Sequence, residues 1–209
     1  LNMSAPVSAA ERAYSEIKAM ILSGALPVRA RLDVERLARA VGLSSMPVRQ
    51  ALARLSWEGL VRAGATSGYS VALWSERELA ELYQWRGHLF AMVALRKVSG
   101  PELVRIARTR PYAEAFADIS RAIEEGANSE LRRSAKIADE RLHLARVVEE
   151  EVLDDVAAEF EALIKSIAER SARAIVLIAA FHRRRSDHAP LLRQRVVVRA
   201  LPKNGGAPS

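Results

Sequence analysis

Asp139 and His143 are the pair in this sequence whose types and spacing most directly suggest chemistry. Side chains four positions apart lie on one face of a helix, so this carboxylate and imidazole could share a divalent metal ion. The same spacing is common between neighbours on a solvated helix, where the two side chains have no joint role. Both interpretations stay open at this point.

Arg49 suggests a second kind of chemistry, the reading of DNA. It lies near the start of a predicted helix whose buried face is formed by Val48, Leu52 and Leu55, so its own side chain points elsewhere. An arginine in this position can reach guanine edges or phosphate oxygens. The alternative is a solvated arginine without a partner.

The overall charge agrees with an anionic partner. The 209 residues include 32 Lys and Arg against 25 Asp and Glu, a net charge of +7, which favours polyanions through counterion release. There is no cysteine, and no apolar run approaches the roughly 18 residues of a membrane helix. Residues 1–10 lack the features of a secretory signal. We therefore expect a soluble cytoplasmic protein with no membrane partner.

The residues before position 74 predict three helices. Ser8 and Glu11 have the spacing of a capping box, which begins a helix over about 9–22. Gly42 ends the second helix, and Pro47 lies in the first turn of the third, where a missing N–H does no harm. The N-cap residues of the three helices are, in order, Ser8, Asp33 and either Ser44 or Ser45.

A small hairpin follows these helices. Two β-favouring pieces, residues 60–63 and 69–72, flank a turn that contains Gly64, Ser67 and Gly68. Three helices followed by a hairpin is the order of a winged helix-turn-helix, which presents a helix to the major groove.

Helical patterns replace the β signal after residue 74. They cover about 76–98, 101–126, 129–150 and 153–181. The basic run at 183–185 and the strand-like run at 195–198 then interrupt this pattern. We expect a mainly α fold: a winged helix-turn-helix domain at 8–74, made of three helices and a β-hairpin wing, an all-α helical bundle at 75–201, and a disordered tail at 202–209.

The stretch from Ala13 to Ala72 strongly resembles the GntR family of bacterial regulators, in the branch whose C-terminal domain is the all-helical FadR-type, or FCD, domain. The family pattern appears in order as Leu37-Ala38, Gly42-Leu43-Ser44, Pro47-Val48-Arg49-Gln50-Ala51-Leu52, Arg54-Leu55 and Glu58-Gly59-Leu60-Val61. The resemblance implies a DNA-binding regulator in which Arg49 contacts DNA. Ser45 replaces a base-reading arginine of the family and Val28-Arg29 replaces a Pro-Gly pair, so we expect a different operator preference.

Six residues form the predicted DNA-binding set. Ser44 is expected to cap the third helix and offer its N-terminus to phosphate, and Gly68 is expected to let the wing tip turn towards the minor groove. For Gly68 the alternative is a hairpin turn without DNA contact. The set is Arg31, Ser44, Ser45, Met46, Arg49 and Gly68.

The segment from Glu81 to Arg86 is similar to the first helix of FCD domains. The resemblance places Arg86 where it can approach the carboxylate of an effector, while Phe90 replaces an acidic residue of the family. A guanidinium can bind a carboxylate through two parallel hydrogen bonds, but an interhelical salt bridge explains an arginine equally well.

The segment from Asp139 to His143 also resembles an FCD arrangement, which implies one divalent metal, Zn or Ni. His188 falls at a plausible distance for a third ligand, although Pro190 argues against a smooth helix there. A further histidine of the metal-binding FCD domains has no counterpart. The site is therefore expected to be incomplete or empty unless the C-terminal end folds differently.

Together these features predict a homodimer that binds two half-sites of a pseudo-palindromic operator about one helical turn apart. A small organic acid bound in the helical domain would change the affinity for double-stranded DNA. One alternative is an enzyme in which Asp139, His143 and His188 hold a catalytic metal. Another is an architectural DNA-binding protein without a ligand.

Overall fold

A computed structural model describes residues 7–64, 68–94 and 100–201. The chain divides into two compact units, the first extending to Leu73 and the second running from Trp74 to Val198. The described residues are mainly helical, as predicted. The predicted tail at 202–209 and the turn residue Ser67 lie outside the described residues.

The first unit contains the three predicted helices: α1 at Ala9–Leu22, α2 at Val34–Val41 and α3 at Ser45–Trp57. Two of the expected caps are formed, because the side chain of Ser8 accepts a hydrogen bond from the Glu11 amide and that of Asp33 accepts one from the Arg36 amide. Each bond satisfies an amide that the first turn of a helix leaves without a partner.

The wing is an antiparallel sheet of three short strands, one more than the sequence predicted. Its strands are β1 at Arg31–Leu32, β2 at Val61–Gly64 and β3 at Gly68–Val71, with β3 in the centre. The additional strand β1 pairs Arg31 with Ser70. A two-residue strand has too short a pattern to be detected in a sequence.

Helix α3 is held by apolar packing on one face. Val48, Leu52 and Leu55 are completely buried, as predicted, and α1 contributes Ile17 and Ile21 to the same core. The apolar face of α3 therefore fixes which of its side chains can point outward.

The second unit contains seven α-helices in the described ranges, with a 3₁₀ turn at Glu149–Glu151. They are α4 at Glu76–Ala91, α5 at Gly100–Thr109, α6 at Tyr112–Glu124, α7 at Ser129–Val147, α8 at Val156–Ala168, α9 at Arg173–Asp187 and α10 at Ala189–Ala200.

Two of the predicted long helices are each divided in the structure. The pattern at 101–126 breaks at Pro111, because proline disfavours a helical conformation in the residue before it. The pattern at 153–181 breaks near Arg170, whose φ of +53° is left-handed. The predicted helix over 76–98 ends at Ala91, and residues 95–99 lie outside the described part.

The strand-like interpretation of residues 195–198 was wrong, because these residues belong to α10. Ala189, Leu192 and Val196 recur at helical spacing and are buried, so tertiary burial overrides the β preference of the valines. Pro190 lies in the first turn of α10, where it is tolerated, and does not interrupt a helix.

Aromatic side chains form the centre of the second unit. The ring of Phe116 lies 5.9 Å from that of Phe90, 5.7 Å from that of Phe160 and 6.1 Å from that of Phe181. These residues come from four different helices, so the rings join α4, α6, α8 and α9. Among the described residues, no helix combines the length and the apolar character needed to cross a membrane.

Candidate DNA-binding face and buried charge cluster

The start of α3 presents an exposed surface in the first unit. Arg49 is exposed, Met46 is 64% exposed, and no hydrogen bond or ion pair to the described residues engages the Arg49 guanidinium. The opposite face of α3 carries the buried Val48 and Leu52. The predicted orientation of Arg49 is therefore confirmed, while its contact with DNA stays a prediction.

Ser44 and Ser45 differ in their interactions at this helix start. Ser44 occupies the N-cap position, but its hydroxyl makes no capping hydrogen bond within the described residues. The first amides of α3 are therefore not satisfied by a side chain and can face an anion. The Ser45 hydroxyl donates a 2.7 Å hydrogen bond to the carboxylate of Glu35, a residue that the sequence analysis had not singled out.

Arg31 and Gly68 are the two predicted DNA-binding residues of the wing. Both are exposed, Arg31 on the edge strand β1 and Gly68 opposite Gly64 at the end of the β2–β3 pair. Gly68 has a φ of +73°, which favours glycine, so its predicted role in turning the wing is supported by its backbone.

In the second unit, Arg86 forms the interhelical salt bridge that was one of its two predicted roles. Its Nε and Nη2 atoms donate to the two carboxylate oxygens of Asp139 at 2.7 and 3.0 Å, and Nη2 also donates to Glu124 at 2.6 Å. Arg86 is completely buried, and its Nη1 atom has no hydrogen-bond partner among the described residues. Binding of an effector carboxylate stays a prediction.

Glu149 organises a second group of buried polar side chains. Its carboxylate accepts hydrogen bonds from the hydroxyls of Tyr83 and Tyr112 at 2.7 and 2.5 Å and from Nε of Arg185 at 2.6 Å. The guanidinium of Arg146 links this group to Asp139. Its Nη1 atom lies 3.8 Å from Oε1 of Glu149, and its Nη2 atom lies 3.7 Å from Oδ1 of Asp139. We call Arg86, Arg146 and Arg185 the buried arginine cluster.

Two pKa shifts reflect the burial of this network. Burial raises the pKa of Glu124 to about 7; the charge of Arg86 opposes this shift, and that of Asp139 adds to it. Burial also lowers the pKa of His182 well below its ordinary value. Near pH 7, Glu124 therefore carries a proton part of the time and His182 is neutral.

The predicted metal ligands do not fit a shared ion. Asp139 already faces the guanidiniums of Arg86 and Arg146, which would repel a divalent cation. Nδ1 of His188 is 2.8 Å from the Arg184 carbonyl oxygen, and burial and Arg146 lower the pKa of His143. In the described ranges, no three His, Cys, Asp or Glu side chains form a group that could hold a metal.

Sequence reasoning missed most members of the buried network. It singled out Arg86 and Asp139, but not Glu124, Tyr83, Tyr112, Arg146, Glu149, His182 or Arg185. A usable signal was the position of the arginines within apolar patterns. Arg185, for example, continues the buried spacing of Ile178 and Phe181 along α9.

The fold and these surfaces define a two-domain protein of the winged helix-turn-helix class. Residues 9–71 match the bacterial regulatory proteins of the gntR family, so the chain carries a GntR-family helix-turn-helix domain. YdhC of Bacillus subtilis (strain 168), described as an uncharacterized HTH-type transcriptional regulator, is 30% identical over 73 residues. This match spans 35% of the chain and about a third, 33%, of YdhC.

Two solved structures share the fold of the chain. A transcriptional regulator GntR from Rhodococcus sp. RHA1 has a TM-score of 0.74 and 15% identity, covering 87% of this chain and 97% of that protein. The E. coli protein McbR/YncC has a TM-score of 0.67 and 18% identity, covering 90% and 99%. The match of residues 9–71 to the gntR family favours a regulator over the metal-dependent enzyme. Assignment of the helical domain to the FCD type stays a prediction.

Proposed function

We propose that this chain is a bacterial transcription regulator that binds double-stranded DNA and responds to a small organic acid. The observation that carries the proposal is the exposed Arg49 at the start of α3, within a domain of the GntR family. In winged helix-turn-helix proteins the second helix of the motif enters the major groove, where arginine binds guanine through two hydrogen bonds.

Several groups around Arg49 support this mode of binding. The amides at the start of α3 suit a phosphate, and Arg31 adds an exposed positive charge on the wing. The Ser45–Glu35 hydrogen bond places a carboxylate beside the helix start, where it can accept a hydrogen bond from a base-edge donor. These features agree with an operator preference different from that of proteins with arginine at position 45.

A homodimer would present two such domains to the half-sites of a pseudo-palindromic operator. Support comes from Trp85 of α4, which is 50% exposed, and from Met92, the C-cap residue that follows α4, which is 70% exposed. These residues are seven positions apart, and Met92 keeps a helical backbone conformation, so the two side chains lie on one side of the segment. Large exposed apolar side chains that share a face are typical of contact surfaces, and a second copy of the chain would cover this one.

The helical domain supplies the proposed effector site. The unpaired Nη1 atom of Arg86 and the partly protonated Glu124 beside it would together accommodate an additional carboxylate. An acid that binds more tightly to one conformation of the protein would increase the population of that conformation. If the two conformations differ in operator affinity, binding of the acid changes the affinity for the operator.

Replacement of Arg49 tests the DNA-binding role. Operators are selected from random duplex DNA with the wild-type chain, and the affinity of Arg49→Ala is then measured by gel shift. We expect a loss of about 1 to 3 kcal/mol, because a guanidinium that contacts a base edge would be removed. The stoichiometry of the complex is expected to be two chains per operator.

Arg12→Ala is a matched control for this substitution. Arg12 is an exposed arginine on α1 of the same unit, and its Nη2 atom lies 4.0 Å from Oε1 of Glu16. Its replacement removes the same charge from another surface. The affinity of this control is expected to remain within about threefold of the wild type. An unchanged operator affinity of Arg49→Ala would refute the proposed contact.

A further inference from the structure

A carboxylate lies at the start of α3, on the surface proposed to face DNA. It belongs to Glu35 in the first turn of α2, and its Oε1 atom accepts a 2.7 Å hydrogen bond from the hydroxyl of Ser45, the first residue of α3. Glu35 is exposed and forms no ion pair with the described residues. On a surface that binds a polyanion, a carboxylate without a cationic neighbour adds repulsion, so its presence requires an explanation.

The hydrogen bond to Ser45 fixes the position of this carboxylate. An acidic residue in the first turn suits the dipole of α2 wherever its side chain points. The half-buried Ser45 instead turns the carboxylate of Glu35 towards the start of α3. A side chain of α2 is thus held against the helix that is expected to enter the major groove.

The spacing along α3 places this carboxylate close to the position of Arg49. Ser45 and Arg49 are four residues apart, so they are neighbours on one face of the helix, about one turn or 5.4 Å apart along its axis. Successive base pairs of a duplex are separated by about 3.4 Å. The carboxylate and the Arg49 guanidinium are therefore expected to reach bases about one or two pairs apart.

The carboxylate of Glu35 has acceptor capacity left for a ligand. An ionised carboxylate offers about four acceptor sites on its two oxygens, and it has no donor. The Ser45 hydroxyl occupies one of these sites, and no second donor to Glu35 is present among the described residues. Glu35 can therefore accept a further hydrogen bond but cannot donate one.

The four bases differ in what they offer such an acceptor in the major groove. Guanine presents the acceptors N7 and O6, and thymine presents the acceptor O4 beside a methyl group, so neither suits a carboxylate. Adenine has an amino donor at N6, but the acceptor N7 lies next to it. Cytosine presents only its N4 amino donor. Cytosine therefore fits the Glu35 carboxylate best.

We propose that Glu35, positioned by Ser45, selects cytosine in the operator by accepting a hydrogen bond from the N4 amino group. This inference rests on the proposed function and deepens it by naming a base-reading residue outside α3. The cytosine lies about one or two base pairs from the guanine bound by Arg49. Ser45 is a positioning residue, because it acts through Glu35.

Selection and base substitution with the full chain test the proposal. Operators are selected from random duplex DNA, each base pair is then replaced in turn, and affinities are measured by fluorescence anisotropy. One position is expected to require cytosine, and replacement of this C·G pair by T·A should weaken wild-type binding about fivefold to a hundredfold. N4-methylcytosine at this position keeps Watson–Crick pairing but blocks the amino hydrogen in the major groove, so it should weaken binding as well.

Substitution of Glu35 should change the preferred base. Glutamine has both a donor and an acceptor and suits N6 and N7 of adenine, so Glu35→Gln is expected to prefer adenine where the wild type prefers cytosine. Glu35→Ala should lose the cytosine preference without gaining another, and it should no longer distinguish cytosine from N4-methylcytosine. A purely structural residue would change stability or the affinity for all sequences, but not the preferred base.

Two further variants separate positioning from charge. Ser45→Ala releases the carboxylate and should reduce the discrimination between cytosine and thymine about threefold, while cytosine stays preferred. Glu16→Gln is the matched control, because it removes an exposed carboxylate from α1, where Oε1 of Glu16 lies 4.0 Å from Nη2 of Arg12. This control is expected to keep the base preference of the wild type.

Three results would overturn the proposal: an operator without a preferred cytosine, a cytosine preference that persists in Glu35→Gln, and equal wild-type affinity for operators with cytosine and N4-methylcytosine. The comparison with N4-methylcytosine needs no variant, so a folding defect of a variant does not affect it. A chain that selects an operator but gives one of these results contradicts this inference alone. A chain that selects no duplex contradicts the proposed function itself.

Discussion

Glu124 couples the stability of the second unit to pH. Its folded-state pKa of about 7 lies above its ordinary value, so between about pH 4.5 and 7 the folded chain binds a proton that the unfolded chain lacks. The free energy of unfolding contributed by this group therefore increases as pH falls from 7 to 4.5. We expect Glu124→Gln to abolish this pH-dependent rise in the free energy of unfolding, which amounts to at most about 3 kcal/mol. Urea denaturation at several pH values measures it.

The exposed neighbour Glu125 provides the control for this prediction. Glu125→Gln removes the same charge one position away, outside the buried network. It is expected to leave the pH dependence of unfolding as it is in the wild type. Protonation of His182 acts in the opposite sense below its ordinary pKa, but it contributes equally to all three proteins. If the free energy of unfolding depended on pH in the same way for Glu124→Gln and the wild type, Glu124 would not be the source of the pH dependence.

Individual site residues were predictable where a local pattern fixes their orientation. Arg49 could be placed on the surface because Val48, Leu52 and Leu55 define the buried face of its helix. The partners of Arg86 were not predictable, because Asp139 and Glu124 are 53 and 38 positions away in the chain. The sequence identifies the charged side chains, but their pairing depends on tertiary packing.

The turn between α2 and α3 depends on Gly42. Its φ of +64° is left-handed, and the following amide, that of Leu43, closes the turn by donating to the Ala38 carbonyl at 3.0 Å. No atom lies within 4 Å of a Cβ built at this position, so any cost of a side chain comes from the backbone alone. We expect Gly42→Ala to lower the free energy of unfolding by about 1 kcal/mol, measured by denaturant titration.

Asparagine at the same position separates backbone strain from other effects. Asparagine adopts the left-handed region more readily than alanine, so Gly42→Asn is expected to lose less stability than Gly42→Ala although its side chain is larger. The reverse order of the two variants would indicate a steric conflict, contrary to the open space around the turn.

Elements with strong boundary signals were predicted well. Helix α1 runs over Ala9–Leu22 as expected, because Ser8 caps it and its apolar residues recur at helical intervals. The prediction failed where helical periodicity continues across a break, as at Arg170, and where β-branched residues lie in a helix, as in α10. In these places the path of the chain is set by contacts with other helices rather than by local preference.

The charge of the whole chain predicts how its DNA affinity depends on salt. A net charge of +7 and the exposed Arg31 and Arg49 favour phosphate contacts, and each contact releases counterions from the duplex. For a dimer making about 6 to 10 such contacts, the affinity should fall by about 10³ to 10⁵ between roughly 50 and 200 mM salt. Fluorescence anisotropy with a labelled operator measures this slope.

The same titration separates phosphate contacts from base contacts. A duplex of unrelated sequence should show weaker binding with a similar slope, because the phosphate contribution does not depend on sequence. Arg49→Ala should lower the affinity for the operator more than that for the unrelated duplex, while changing each slope by about 1 or less. An operator affinity independent of salt would contradict binding through phosphates. Equal losses on both duplexes would make Arg49 a phosphate contact rather than a base-reading residue.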